Sequence, residues 1–169
     1  MKRYPNTSNR LKTYDYTSSG NYFVTICLRT RSNLFCDVNN DGMLIQSSIG
    51  NMIAKTLMSI PDVFPESELV DFVVMPDHAH TIIGIDNDIH NLLRPSLGQM
   101  LGWFKGTTRH QYSVGVKTLE WPRYEKSLWL HGYHDHIIRN DVEFANCMNY
   151  IEQNPIRWAQ KRSGRGDAS

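Results

Sequence analysis

Residues 69–85 read Leu69-Val70-Asp71-Phe72-Val73-Val74-Met75-Pro76-Asp77-His78-Ala79-His80-Thr81-Ile82-Ile83-Gly84-Ile85. Apolar, β-branched runs stand on either side of Pro76-Asp77. Proline cannot donate to a sheet ladder and Pro-Asp favours a turn, so the stretch reads as two strands of a β-hairpin. His78 and His80 lie two residues apart in the second arm. Side chains alternate along a strand, so both imidazoles leave one face while Ala79 points the other way into the core. Two neutral imidazoles side by side can hold one divalent ion. The same spacing also suits two polar residues on a wet strand face, and a chain with seven histidines produces such a pair readily by chance.

Working outward, Gly20 precedes Tyr22-Phe23-Val24-Thr25-Ile26-Cys27-Leu28, an aromatic and β-branched run that reads as a strand. Asn39-Asn40-Asp41-Gly42 is a turn signal. Ile45, Ile49, Met52, Ile53, Leu57 and Ile60 then recur at helical spacing until Pro61 ends the element. Beyond the hairpin, Pro95-Ser96 opens a helix running to about Tyr112, with Leu97, Met100, Leu101 and Phe104 on one side. Ser127 to Ile138 suggests a strand followed by a loop. Asn140 or Asp141 caps a final helix, which should stop at Asn154-Pro155 because a residue before proline avoids the helical region. This order predicts an α+β fold in which an antiparallel sheet carries helices packed on one face.

The 169 residues fit a single domain spanning 1–169, able to bury about two-thirds of its unfolded surface. With 40% apolar and 21% charged residues, neither disorder nor a fibrous repeat is indicated. No apolar run approaches the roughly 18 residues of a membrane span, and MKRYPNTSNR leads into no apolar signal segment, so no membrane partner and a cytoplasmic location are expected. Cys27, Cys36 and Cys147 lack any Cys-x-x-Cys spacing and read as reduced, buried thiols. The formal net charge is only +1, but its distribution is uneven. Lys2, Arg3, Arg10 and Lys12 precede any acidic residue, and Arg157, Lys161, Arg162 and Arg165 crowd the other end, giving short basic extensions.

The hairpin segment from Val73 to Ile83 resembles that of HUH nucleases, in which two histidines flank a hydrophobic residue after a strand ending in Met-Pro. Tyr14-Asp15-Tyr16 through Gly20 to Cys27 and the distal segment Trp129 to Trp158 resemble the same family, so the likeness spans most of the chain. It implies a ferredoxin-like sheet. Enzymes of this kind use a tyrosine nucleophile on a helix, and the sequence holds eight tyrosines. At about 100° per residue, Phe144, Met148 and Ile151 make the core face of the last helix, with Tyr150 roughly 100° or more away. Glu143, Cys147, Tyr150 and Asn154 form a neighbouring stripe, and the i, i+4 spacing lets Tyr150 and Asn154 reach one site.

Tyr150-Ile151-Glu152-Gln153-Asn154-Pro155 resembles the Tyr-Ile-x-x-Asn-Pro signature of REP-associated tyrosine transposases. The resemblance makes Tyr150 the nucleophile and His78, His80 and Asn154 the ligands of one Mg²⁺ or Mn²⁺ ion. It implies cleavage and rejoining of single-stranded DNA at hairpins through a 5′-phosphotyrosine and a free 3′-hydroxyl, by a monomer or homodimer. The phenol has a reference pKa near 10, so a nearby cation or base should assist its attack. Lys105, Arg109, Tyr133, His134, His136, Arg10 and Lys12 are candidate DNA contacts.

Three other readings compete. His131, His134 and His136 with Asp135 could form a zinc site of their own. The protein could be a catalytically inactive hairpin-binding protein, or a zinc hydrolase built on one of the histidine clusters, which would have no need of Tyr150.

Overall fold

The computed structural model describes residues 14–30, 32–87 and 94–166. Arg10 and Lys12 lie outside the described residues. The main sheet contains β1 (Gly20–Cys27), β4 (Ser67–Val74), β5 (His78–Ile85) and β6 (His134–Ile138), in the order β4-β5-β1-β6, with every pairing antiparallel. Between β1 and β4 come a small hairpin of β2 (Cys36–Val38) and β3 (Leu44–Gln46), the helix α1 (Ser48–Met58) and the short helix α2 (Ile60–Val63). Helix α3 (Leu97–Thr118) connects β5 to β6, and α4 (Asp141–Gly166) closes the described chain. A strand–helix–strand, strand–helix–strand path with this strand order is the ferredoxin-like arrangement expected from the sequence.

Alternation along β1 divides the molecule. Tyr22, Val24 and Ile26 are fully buried and join Ala79 and Ile83 of β5, Ile53 and Leu57 of α1, and Met100, Leu101 and Phe104 of α3 in one core. Phe23, on the opposite face, joins Ile82, Ile138 and Met75 beneath Phe144, Met148, Ile151 and Ala159 of α4. The expectation of helices on one face therefore holds for α1 and α3. Helix α4 covers the other face, lying over β4 and β5, because its stripe of Phe144, Met148 and Ile151 needs an apolar surface to bury against.

The helix starts follow ordinary capping. Ser47 accepts from the Gly50 amide at 3.0 Å, and Ser96 with Gln99 forms a reciprocal capping box on α3. A Cβ at Gly50 would overlap the Phe35 carbonyl, so glycine permits α1 to pack there.

Several boundaries differ from the sequence reading. Ile45 belongs to β3, so the first long helix begins later, at Ser48. Helix α3 runs on past Tyr112 to Thr118. The segment from Ser127 is a loop followed by a strand, the reverse of the expected order; only an isolated bridge between Leu28 and Trp129 precedes β6.

The largest correction is α4, which passes through Pro155 instead of stopping at Asn154. Proline inside a helix forfeits one backbone hydrogen bond and costs about 3 kcal/mol. Packing offsets that cost: Ile151, Asn154, Pro155 and Ala159 are all buried, and Trp158 packs on the same apolar cluster. Gly42, at φ +82 in the β2–β3 turn, sits so close that a Cβ there would meet the Ile156 backbone at 2.9 Å, bracing the helix just past the proline.

Candidate active site

The register of the sheet assembles the site. Thr25 of β1 lies opposite His80 on one side and His134 on the other, while Phe23 lies between Ile82 and His136. His78, His80, Thr25, Phe23, His134 and His136 therefore share the α4 face of the sheet. On that face, the Nε2 atoms of His78 and His80 approach to 3.1 Å. Each ring has its other nitrogen engaged: His78 Nδ1 lies 2.6 Å from Asp77 Oδ1, and His80 Nδ1 lies 2.8 Å from Thr25 Oγ1. His80 is only 4% exposed and its ring stacks on Phe23 at 5.3 Å. Burial, with the neighbouring His78 as a smaller cause, pushes the His80 pKa down to about 3, so its ring is neutral at physiological pH.

Helix α4 places two aromatic side chains against the pair. The Tyr150 ring stands edge-on to His80 at 5.1 Å and to Phe23 at 5.6 Å, and the Trp158 ring lies 5.8 Å from His78. Asn154 sits midway between those two residues along the helix, at i+4 from Tyr150 and i−4 from Trp158. It is 8% exposed, and its side chain makes no hydrogen bond among the described residues. Trp158 Nε1, by contrast, is fully buried with no protein acceptor. Tyr150 itself is 39% exposed, and the Arg157 guanidinium lies 5.6 Å from its ring centroid. An acceptor pair, an unpartnered amide, an accessible phenol and a cation thus meet in one place.

Residues 17–154 match the pattern of the family described as IS200-like transposases. The chain belongs to the IS200-like transposase family. An uncharacterised Haemophilus influenzae protein is 32% identical to it over 164 residues, covering 90% of this chain and 89% of that protein. Another Haemophilus influenzae protein, named as a REP-associated tyrosine transposase, is 26% identical over 149 residues, covering 85% of this chain and 74% of that protein. A solved structure of a REP-associated tyrosine transposase bound to a REP hairpin superposes with a TM-score of 0.61 at 20% identity, covering 89% of this chain and 74% of that one. At that identity the likeness is one of fold.

In this IS200-like chain, the structure brings His78, His80 and Tyr150 together, and Asn154 lies one turn along α4 from Tyr150. The candidate DNA contacts divide. His134 and His136 lie on the active face, with His136 Nε2 3.2 Å from Glu143 Oε2. Lys105 is turned inward instead: its Nζ donates to the Leu130 carbonyl at 3.0 Å and to the Gly132 carbonyl, and burial lowers its pKa to about 8. It fastens the loop leading into β6. Arg109 is exposed on α3, with the sheet between it and the histidines. Tyr133 is half-buried and packs against the α1–α3 core.

The rival zinc cluster does not form. Among the described residues, no three His, Cys, Asp or Glu side chains are grouped so as to hold a metal. Asp135 leaves the sheet on the face opposite His134 and His136, as alternation requires. None of the described cysteines forms a disulfide: Cys36 is buried, while Cys27 and Cys147 are only half-buried. Among the described residues no helix is long and apolar enough to cross a membrane.

Sequence reasoning passed over Thr25, Phe23, Arg157 and Trp158 as site residues. Thr25 and Phe23 emerge only from strand register, and Trp158 only because the helix continues beyond Pro155. Asp77 reads from the sequence only as part of the Pro76-Asp77 turn, although its place next to His78 is a signal that could have marked it.

Proposed function

We propose that the protein cuts and rejoins single-stranded DNA beside a hairpin, with Tyr150 as nucleophile and His78, His80 and Asn154 as the ligands of one Mg²⁺ or Mn²⁺ ion. The observation that carries this reading is the 3.1 Å approach of the two Nε2 atoms directly beneath the Tyr150 ring. Two nitrogens each about 2.1 Å from one ion and at right angles to each other stand about 3 Å apart. Asn154, one turn along α4 from Tyr150 and without a side-chain hydrogen bond among the described residues, fits as an oxygen donor. Imidazoles alone would suit zinc; the amide oxygen moves the set toward harder ions, and the selection of Mg²⁺ or Mn²⁺ follows the REP-associated resemblance. When bound, the ion supplies Lewis-acid polarisation of the scissile phosphate.

The chain's own residues do the rest. Tyr150 Oη attacks phosphorus, the bond to the 3′ oxygen breaks, and that oxygen leaves as a 3′-hydroxyl after taking up a proton. The phenolic proton passes to water. The Arg157 guanidinium beside the ring offsets the negative charge that gathers on the phenol oxygen and phosphate. The new 5′-phosphotyrosine conserves the phosphodiester energy, so attack by a 3′-hydroxyl restores the strand without another energy source. His134, His136 and the exposed Arg157, Lys161 and Arg162 line the approach for the unpaired strand.

The REP-associated neighbour bound to a REP hairpin supplies the substrate class. A labelled single-stranded hairpin with a flanking tail, incubated with Mn²⁺, should be nicked by the wild type and left intact by His78→Ala or after chelation. Undiminished nicking by His78→Ala would remove the pair from the site; binding no tighter to the hairpin than to a random strand would remove the substrate.

A further inference from the structure

The two histidines are held by different kinds of partner. His78 Nδ1 meets a carboxylate, Asp77 Oδ1 at 2.6 Å, whereas His80 Nδ1 meets a hydroxyl, Thr25 Oγ1 at 2.8 Å. A carboxylate only accepts a hydrogen bond, while a threonine hydroxyl either donates or accepts by rotating its proton. We infer that Asp77 and Thr25 are positioning residues with distinct tasks. Asp77 fixes His78 in the Nδ1–H tautomer, and Thr25 lets His80 exchange tautomers as the ion binds.

The inference rests on the proposed metal site and follows from the 3.1 Å separation of the Nε2 atoms. Two bare nitrogens that close repel each other unless a cation lies between them or one carries a proton. Asp77 commits the His78 proton to Nδ1, which leaves His78 Nε2 bare. Without an ion, a His78 held in that tautomer places the His80 proton on Nε2, donating to His78 Nε2, and His80 Nδ1 accepts from the Thr25 hydroxyl. With an ion bound by both Nε2 atoms, the His80 proton moves through solvent to Nδ1, and the Thr25 hydroxyl turns from donor to acceptor. The exchange moves one proton from one nitrogen of the His80 ring to the other. A carboxylate at Thr25 could not accommodate both arrangements, nor could an apolar side chain satisfy either.

Thr25 is not replaceable by the surroundings. The His80 ring is closed in by Phe23 on its face and by His78 and Tyr150 at its edges, and it is 4% exposed, so Thr25 is its only described hydrogen-bond partner besides His78.

The test uses the full chain with ¹⁵N-labelled histidine. Two-bond ¹⁵N–¹H spectra distinguish imidazole tautomers, with Zn²⁺ as the diamagnetic probe ion, and Mn²⁺ affinity is read separately by electron paramagnetic resonance. Before ion addition, His78 should show Nδ1–H and His80 Nε2–H; with saturating Zn²⁺ both should show Nδ1–H. Thr25→Val, nearly isosteric and confirmed folded by circular dichroism, should weaken Mn²⁺ binding about 10- to 100-fold, and Thr25→Ser should restore it. Asp77→Asn should weaken binding similarly and lose the fixed His78 tautomer. A wild type that binds ions while Thr25→Val and Asp77→Asn bind equally well overturns the inference alone, as does His80 found as Nδ1–H before ion addition. A wild type that binds neither ion overturns the metal reading, and the ion-driven exchange with it.

Discussion

The two faces of the same four strands differ as a scaffold differs from a reactive surface. On the α1–α3 face, Tyr22, Val24, Ile26, Ala79 and Ile83 are at or near complete burial and carry almost nothing but hydrocarbon and one phenol. On the α4 face, the residues between them are Phe23, Thr25, His78, His80 and Ile82, and the helix above contributes Tyr150, Asn154 and Trp158. Strand periodicity alone separates them: Ala79 packs into the α1–α3 core, while the histidines on either side face α4. The lesson is that an antiparallel sheet with one face already packed can present polar groups at fixed spacing on the other with little cost to the core. Substitutions on the two faces should therefore fail in different ways.

The strongest contrast is expected from Tyr150→Phe. Removing one half-exposed hydroxyl should leave stability within about 0.5 kcal/mol, yet strand cleavage should fall about 10⁴-fold or more, measured by nicking of a hairpin oligonucleotide beside a urea melt. Ile83→Ala tests the other face. It removes a fully buried side chain from the α1–α3 core and should cost about 2–5 kcal/mol in urea denaturation, while cleavage per folded molecule persists. If Ile83→Ala abolished cleavage in protein shown to be folded, the separation of the faces would be wrong.

Acidity should act on the polar face first. His80 has its pKa lowered in the fold to about 3, against 6.5 for the free side chain. Between those values the unfolded chain binds a proton that the folded chain excludes, so this group's contribution is intact above pH 6.5 and is lost as pH falls toward 3. The slope is at most about 1.4 kcal/mol per pH unit. His80→Gln should flatten it in urea melts taken from pH 7 to pH 4; an unchanged slope would assign the acid sensitivity elsewhere. The smallest effect is expected from Arg157→Ala, which should weaken hairpin binding several-fold at low salt and reduce the salt dependence of log K by about one phosphate contact. Equal salt dependence in the two proteins would mean that Arg157 touches no phosphate.

The legible part of this molecule was what periodicity and turn chemistry encode. The hairpin broken at Pro76-Asp77, the common face of His78 and His80, and the phase that keeps Tyr150 off the core could all be read along the chain. Long-range packing hid the rest. Local propensity stops a helix at Asn154-Pro155, but burial of Ala159 and packing of Trp158 carry α4 onward, and with it Trp158 reaches His78. Thr25 is one of many threonines until antiparallel register sets it opposite His80. Lys105 looked like a DNA contact because a lysine on an amphipathic helix is ordinarily solvated, whereas backbone carbonyls at Leu130 and Gly132 draw it inward. The short β2–β3 strands escaped because three-residue runs have too few alternations to register.

The central claim is that α4 delivers a nucleophile to the histidine pair. Its most direct measurement is to incubate the wild type with Mn²⁺ and a cleavable hairpin strand, digest the covalent product with protease and nuclease, and sequence the modified peptide by mass spectrometry. The account predicts a nucleotide 5′-phosphate on Tyr150 and its absence from Tyr150→Phe. An adduct on Tyr133, or one on any residue that persists in Tyr150→Phe, would contradict it.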